Sequence, residues 1–447
     1  MKKILIITIT LLFTIISNAQ ETKSFSLKEA INYALKNSYA SINASRDIQA
    51  AKKKKWETTT IGLPQINAEI DYQNWIKQQV SLIPAEFFGG KPGEFTEIAF
   101  GTKQNMKATA TVDQLIFDGS YLVGLQSAKT YLKISVNAKE KTDIGIREAV
   151  INAYGNVLLS EESIKILEKN KKTLEKNLHD TNQIYLNGLT EEENVEQLKI
   201  TLAKVKSQLS KTKKLKDIAY KMLNITLGID INSKVVLVDS LDKLSQENED
   251  LNLLSNNLNI ENHIDYKIAK NTERSNELIV KLEQSKALPS LSSFVNFGYA
   301  GFGNEFNFFK KQQKWFDSSL LGINLKIPLF SSLARSSRTQ QAKIGLDKAK
   351  TNLYEISQKI QLQVESAKTN YNYSLEELST SKQNLALAER IEHKQEVKFF
   401  EGISTSFDLS NAQTQLYTMQ QNYLQAMLNV ISNKAALDTA LNTPINN

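Results

Sequence analysis

The sequence predicts a mainly α-helical chain with a membrane β part: long coiled-coil hairpins joined to four strands of transmembrane length. Three observations carry this. Long stretches, the clearest from Tyr121 to Leu186, hold apolar residues at alternating spacings of three and four, the seam of a helix packed along its length against other helices. Each rod is preceded by two segments in which apolar and polar residues alternate, so that one face is greasy and the other wet. And the order repeats: Phe117 precedes Gly188 by 71 residues, and Phe330 precedes Gly402 by 72. Two rods of nearly equal length indicate an internal duplication.

Taken in order, Lys2 and Lys3 precede an apolar run from Ile4 to Ile16, and Ser17-Asn18-Ala19 supplies small residues for cleavage, the pattern of a secretory signal peptide. No later run is long enough for a membrane-spanning helix, so a membrane crossing must use strands. Ser26-Leu27-Lys28-Glu29 is a capping box. It opens a helix to about Trp56, stopped by Gly62-Leu63-Pro64. Ile66, Ala68, Ile70 and Tyr72 then alternate with polar residues. A loop of about thirty residues follows, and alternation resumes through Met106, Ala108, Ala110 and Val112 to Phe117.

The first rod, about 66 residues and about 100 Å at 1.5 Å per residue, is too long for a globular domain. Its seam is Ile146, Val150, Ala153, Val157, Ile164, Leu167, Leu174 and Leu178. Gly188 turns it, Thr190 is placed to cap the return helix, and Gly228 ends that helix. A short connector with a small strand at Val235–Val238 leads to a helix from about Leu253 to Ala287. A second strand pair follows, through Leu291, Val295, Phe297 and Tyr299 and then Leu321 to Leu329, separated by an aromatic loop with Phe306, Phe308, Phe309, Trp315 and Phe316. The second rod starts at Ala334 and turns at Gly402, where Ser404, Thr405 and Ser406 offer capping hydroxyls. The return seam runs Leu409, Ala412, Leu416, Met419, Tyr423, Ala426, Val430, Leu437 and Ala440. The expected division is a signal peptide at 1–19, a first repeat at 20–227 (helix, strand pair 63–119, hairpin 121–227), a connector at 228–250, a second repeat at 251–442 (helix, strand pair 288–331, hairpin 334–442) and a tail at 443–447.

The strands read as apolar-out, polar-in transmembrane strands. Tyr72, Trp75, Phe117, Phe297, Tyr299 and Phe330 are read as lying near strand ends, at the level of an aromatic girdle facing lipid headgroups. Four strands cannot close a barrel, and open edges are not tolerated in lipid, so several chains must share one barrel.

The aromatic–x–x–Gly turn Phe399–Gly402, the run Asp408-Leu409-x-x-Ala412-Gln413 and the closing Ala436–Asn442 resemble the outer membrane efflux proteins of the TolC family. No single motif is specific; the ordered set of helix, strand pair and long hairpin, twice over, is, and the resemblance covers nearly the whole mature chain. It implies a homotrimer in the outer membrane of a Gram-negative bacterium, with a periplasmic helical tunnel. The implied role is a passive exit duct of a tripartite efflux or type I secretion system, with a periplasmic adaptor protein docking at the Gly188 and Gly402 turns and an inner-membrane pump supplying the drive. It also implies an acidic ring at the tunnel aperture. Asp408 matches one family aspartate, Asn411 stands where the second would be, and Glu193 and Asn194 occupy the equivalent first-half turn, Asn194 at the position matching Asp408. A ring of Asp408 copies would favour cations; Asp408 also suits a helix N-terminus on dipole grounds alone, and both roles can hold.

Composition narrows the rest. The chain has no cysteine, so it holds no disulfide, Cys-based metal site or acylated N-terminal Cys of the kind some family members carry. The formal charge is +7, but the lysines are dispersed among acids along helices, and the one tight cluster, Lys52–Lys55, reads as a solvated helix face, which disfavours nucleic acid. His179, His263 and His393 read as coiled-coil surface, none beside a second ligand at metal spacing. Gly298-x-x-Gly301-x-Gly303 and Phe88-Gly89-Gly90-Lys91 lack the context of nucleotide motifs. No cofactor and no enzymatic activity is expected. The alternative class is a soluble periplasmic coiled-coil scaffold or adaptor, which the second rod with its own strand pair disfavours.

Overall fold

The computed structural model describes residues 23–255 and 258–443. The expected signal peptide lies outside them, as does the expected tail from residue 444. The chain forms two compact units. One takes in the described residues up to Ile48, Ile134–Lys270 and those from Asn352 onward; the other comprises Gln49–Lys133 and Asn271–Thr351. Each draws on both halves of the sequence, because the long helices run from one unit into the other.

The elements are β1 (Lys23–Phe25), α1 (Leu27–Asn37), α2 (Tyr39–Thr60), β2 (Gln65–Asn74), β3 (Val80–Pro84), β4 (Phe95–Ala99), β5 (Gln104–Asp118), α3 (Gly119–Leu186), α4 (Glu192–Leu227), β6 (Val235–Leu237), α5 (Leu241–Glu247), α6 (Ile264–Ser285), β7 (Ser290–Gly303), β8 (Trp315–Lys326), α7 (Ala334–Phe400) and α8 (Ser406–Ala440).

In the first unit, the capping box forms as the sequence indicates: Glu29 N donates to Ser26 Oγ, and Ser26 N donates to Glu29 Oε2 at 2.8 Å. The helix it opens does not run unbroken to Trp56. Ser38 is extended (φ −62°, ψ 146°), and its hydroxyl accepts from Ser41 N at 3.3 Å to start α2. The jog meets Gly228, whose position faces the Asn37 carbonyl and Ser38 Cα. Gly228 takes φ +79° and ends α4, its N–H bonded back to the last turn, a left-handed cap that glycine makes without a side-chain clash.

The main core of this unit gathers Phe25, Ala30, Ala34, Ile146, Val150, Tyr154, Val157, Leu223, Leu227, Val235, Leu241, Tyr371, Leu424, Val430 and Leu437. Two fully buried rod tyrosines anchor the connector to it. The Tyr154 hydroxyl lies 2.9 Å from both the Phe25 carbonyl and Asp239 Oδ2, and Asp239 also accepts from Leu27 N at 2.7 Å. The Tyr371 hydroxyl donates to the Asn248 carbonyl at 2.6 Å and accepts from Asp250 N at 2.8 Å. β1 pairs with β6 in parallel, so the chain start and the connector share one small sheet. A second, leucine-rich cluster of Leu167, Leu174, Leu198, Leu202, Val205 and Leu209 joins α3 to α4.

In the second unit, the antiparallel sheet order is β2-β5-β7-β8, so the strand pairs of the two halves meet at β5–β7. The sheet strands run 10, 15, 14 and 12 residues, three of them longer than the roughly ten residues a tilted strand needs to span a bilayer. The segment between β2 and β5 is not one open loop. β3 and β4 pair there as a second hairpin around a turn at Ala85–Phe88.

Three further expectations are corrected. The helix placed from Leu253 starts at Ile264, after short 3₁₀ turns at Leu251–Ser255 and Ile260–Asn262. Thr190 does not cap α4: the cap residue is Glu191, without a side-chain cap bond, because the Thr190 hydroxyl accepts from Asn194 Nδ2 instead. And His263, unlike exposed His179 and His393, is buried at 3%; its Nδ1 accepts from Asp265 N at 3.2 Å, and burial lowers its pKa.

A Cβ at position 228 would lie 2.2 Å from the Asn37 carbonyl oxygen in addition to the left-handed backbone. Gly228→Ala is therefore expected to lower the apparent melting temperature followed by circular dichroism, at a cost of at least about 1–3 kcal/mol for the backbone alone; an unchanged melting curve would show that the α4 cap and the Ser38 jog do not constrain each other.

Candidate channel aperture and membrane-facing sheet

The two glycine turns lie together in the first unit. Gly188 has φ +74° and Gly402 φ +76°, values that suit glycine and few other residues. Their residues line one cleft of about 890 Å³ that includes Leu189, Glu193, Phe399, Glu401, Thr405 and Phe407. Asn194 bridges the halves: its Oδ1 accepts from Ser406 N at 3.2 Å while its Nδ2 donates to Thr190. Next to it, Thr201 and Ser410 hydroxyls meet at 2.7 Å in the buried α4–α8 seam. This pair was missed in the sequence because a Ser beside an apolar seam position carries no signal of its own.

Asp408 closes a capping box with Thr405, whose hydroxyl caps α8. Its Oδ2 accepts from the Thr405 hydroxyl at 2.7 Å and from Thr405 N at 3.2 Å. These bonds, side chain first, hold its carboxyl below the usual aspartate value. So Asp408 performs the helix-terminal role and stays charged and solvent-exposed while doing so. Asn411, one turn on, is exposed, and so is Glu193.

The sheet of the second unit has two unlike faces. Ile66, Val112, Val295 and Leu321 form one row across it. Ala68, Ala110 and Phe297 form the next, and Ile70, Ala108 and Tyr299 the one after. Ser319 and Asp317 break the apolar pattern near the start of β8. The opposite face is polar on β2 and β5, with Asn67, Glu69 and Asp71 and with Thr111, Thr109 and Lys107, and mixed on β7 and β8, where Asn296, Gly298 and Ser318 stand among Phe294, Leu320 and Phe316. Ile66, Ile70, Leu321 and Ile323 are 70–74% exposed. A contiguous apolar face of this kind is not left to water.

Tyr72 and Trp75 lie at the far end of β2, and Phe117 at the end of β5 beyond a register shift. Phe297 lies midway along β7 rather than at an end, because that strand continues to Gly303. Tyr299 is near its far third. Phe330 lies past β8, 83% exposed. The aromatic loop, whose composition was visible but whose partner was not, folds Phe306 and buried Phe308 against Tyr72, at ring separations of 5.3 and 5.9 Å, with Trp315 beside Phe308.

Comparison with known proteins agrees with this architecture. Residues 261–443 match the family model for the outer membrane efflux protein. The outer membrane protein TolC of Vibrio cholerae serotype O1 is 22% identical over 340 residues, 76% of this chain and 77% of that protein. Among solved structures, CusC superposes with a TM-score of 0.73 at 16% identity, over 93% of this chain and 91% of that one. The outer membrane protein VceC of Vibrio cholerae superposes with a TM-score of 0.69 at 16% identity, over 93% and 95%, and the open-state MtrE outer membrane channel of Neisseria gonorrhoeae with 0.70 at 16%, over 93% and 88%. No helix among the described residues is long and apolar enough to cross a membrane.

Two outcomes follow from this geometry. Because the folded-state pKa of Asp408 is depressed, its capping contribution is complete above the ordinary aspartate value and is lost as pH falls through the lowered one. Protection of the Thr405 amide, which donates to the carboxylate, read by hydrogen exchange relative to the α8 centre, should therefore persist through mild acid in the wild type and fall only below the ordinary aspartate value, and should be low throughout in Asp408→Ala. On the sheet, Ile70→Lys should reduce membrane-inserted, heat-modifiable oligomer, at about 2–4 kcal/mol if the position is near mid-bilayer, while Thr109→Lys on the opposite face should leave it intact. Equal effects of the two would mean that the faces are not lipid and lumen.

Proposed function

Because this chain is an outer membrane efflux protein of the TolC family, we propose that it acts as the passive exit duct of a tripartite efflux or type I secretion system, working as a homotrimer. The observation that carries the reading is the four-stranded sheet with an exposed apolar face, an opposite face that is polar on β2 and β5, and outer strands β2 and β8 that have no second partner among the described residues. Backbone groups left unpaired in hydrocarbon cost several kcal/mol each, so β2 of one copy must pair with β8 of the next. Three copies give twelve strands, an even number of the kind bacterial barrels use. The polar faces then line a water-filled lumen.

The duct needs no catalysis of its own; drive belongs to an inner-membrane pump. The Gly188 and Gly402 turns form the surface for the periplasmic adaptor, and the Phe399, Phe400 and Phe407 rings around their cleft supply apolar contact there. Asp408, copied by the symmetry, sets the charge of the aperture, with Glu193 at the first-half turn and Asn194 and Asn411 lowering the acid count. Each half contributes one strand pair of the sheet and one long helical hairpin, in the manner of a duplicated unit.

Single-channel recording in a planar bilayer tests this reading. Wild-type protein is expected to give a stable conductance with cation preference, and Asp408→Ala a conductance whose cation preference is reduced. Unchanged selectivity would retain the duct and leave Asp408 as a helix cap only. Failure of well-folded protein to insert would instead support a soluble periplasmic scaffold.

A further inference from the structure

The hairpin interior nearest the glycine turns is apolar between α3 and α4 but polar between α3, α7 and α8. Ser163, Asn170 and Asn177 recur every seven residues along α3, and all three are buried. The Ser163 hydroxyl reaches Gln421 Oε1 at 3.3 Å, and Asn170 Nδ2 donates to Gln420 Oε1 at 2.8 Å, both on α8. At the third level the pattern changes. Asn177 Nδ2 donates to Glu396 Oε1 on α7 at 3.2 Å. Gln413 of α8 is 0% exposed, yet neither its Oε1 nor its Nε2 has a hydrogen-bond partner. Gln395 Oε1 on α7 is also buried without a partner.

Glu392, one helical turn before Glu396, is half-buried beside them. Burial first, and then Glu396, raise its pKa; the Gln413 amide acts on it in the opposite direction while lying outside hydrogen-bond geometry. Tyr417, one turn beyond Gln413, is half-buried and close enough to both carboxylates to feel their charge. The charged groups at the rim are Lys169 of α3 and His393 of α7, both exposed. Two carboxylates and the unpartnered Gln413 amide thus lie together inside a helix bundle, with buried Gln395 Oε1 on the same turn of α7; an unsatisfied buried polar group there costs about 1–3 kcal/mol. Among the described residues no three His, Cys, Asp or Glu side chains gather. The set here is of another kind, two carboxylates with amide carbonyls, the oxygen ligands a hard cation takes and completes with water.

We propose that Glu392, Glu396 and Gln413, with Gln395, form a binding site for a calcium-type divalent cation that joins α7 to α8 and, through Asn177, to α3. The ion supplies the positive partner that the amide oxygens lack and removes the repulsion between the carboxylates. It braces the two hairpins a few turns from the aperture without entering the aperture itself.

The test uses the full-length protein in detergent with terbium as the probe, since Tyr417 is placed to sensitise its emission. Wild type should show saturable emission that calcium displaces. The double variant Glu392→Gln/Glu396→Gln should lower the emission at least tenfold. Tyr417→Phe should lose the sensitised emission while keeping the calcium-dependent rise in apparent melting temperature that wild type shows and the double variant does not. Emission unaltered in the double variant, or a wild-type melting temperature indifferent to calcium, would overturn the proposal. A melting temperature that follows pH through the carboxylate range but ignores calcium would overturn it too, and would assign the pocket to a shared proton.

Discussion

The constraint on which the structure depends is that backbone N–H and C=O groups in hydrocarbon must all be paired. An α-helix meets it alone, but this chain has no helix among its described residues apolar enough to enter the membrane. It uses four strands instead, and four strands leave two edges. The inner pairing of β5 with β7 spans fourteen residue pairs across a single register shift, so the sheet is well determined up to β2 and β8 and incomplete beyond them. The row of Ile66, Val112, Val295 and Leu321 carries the same message in side chains: it is a surface suited to lipid, with a reverse that is polar on β2 and β5. Membrane insertion, oligomer formation and a hydrophilic path all follow from that one requirement.

The rods solve a different problem. A heptad seam makes helices adhere but does not by itself fix how far one slides along another, since a slip of seven residues restores much of the contact. Register in the first unit comes from directional groups. Tyr154 and Tyr371, buried in the two rods, each bind backbone of the connecting segments. Arg147 pairs with Asp438 at 3.0 Å with both side chains largely buried. Asn170 meets Gln420, and Asn194 meets the backbone of Ser406. The exposed pairs Lys206–Glu175 and Lys213–Glu168 contribute little by comparison, as solvent-screened ion pairs do. Leucine thus supplies cohesion, and the few buried polar contacts supply position.

At the glycine turns, the local role and the proposed collective one fall on the same atoms. The Asp408 carboxylate satisfies the N-terminus of α8 through Thr405, and this keeps it ionised and solvent-facing. The first-half turn is built differently, with Glu191 at the cap position and the Thr190 hydroxyl occupied by Asn194. The two turns resemble each other in backbone, both with a glycine at positive φ, and differ in which side chain carries the charge.

The element types, the strand alternation, the two rods with their glycine turns and the capping box at Ser26 were legible along the chain, and Ser404, Thr405 and Ser406 stood as candidate caps of α8. These depend on contacts within a few residues or on a period of two or seven, and such signals survive in one dimension. The rest came from packing between distant segments. The break at Ser38 exists because Gly228, distant in sequence, packs against it. The hairpin of β3 and β4, the burial of His263, and the seating of Phe306 and Phe308 on Tyr72 have no periodic signature. The Thr190 hydroxyl could serve a backbone N–H or a side-chain amide, and the position of Asn194 settled which. Asp408 was legible as a helix-terminal acid, but its hydrogen bonds were not, and the meeting of Glu392, Glu396 and Gln413 was not visible at all. Those features depend on which helix faces reach each other across long separations, and a heptad pattern leaves that open.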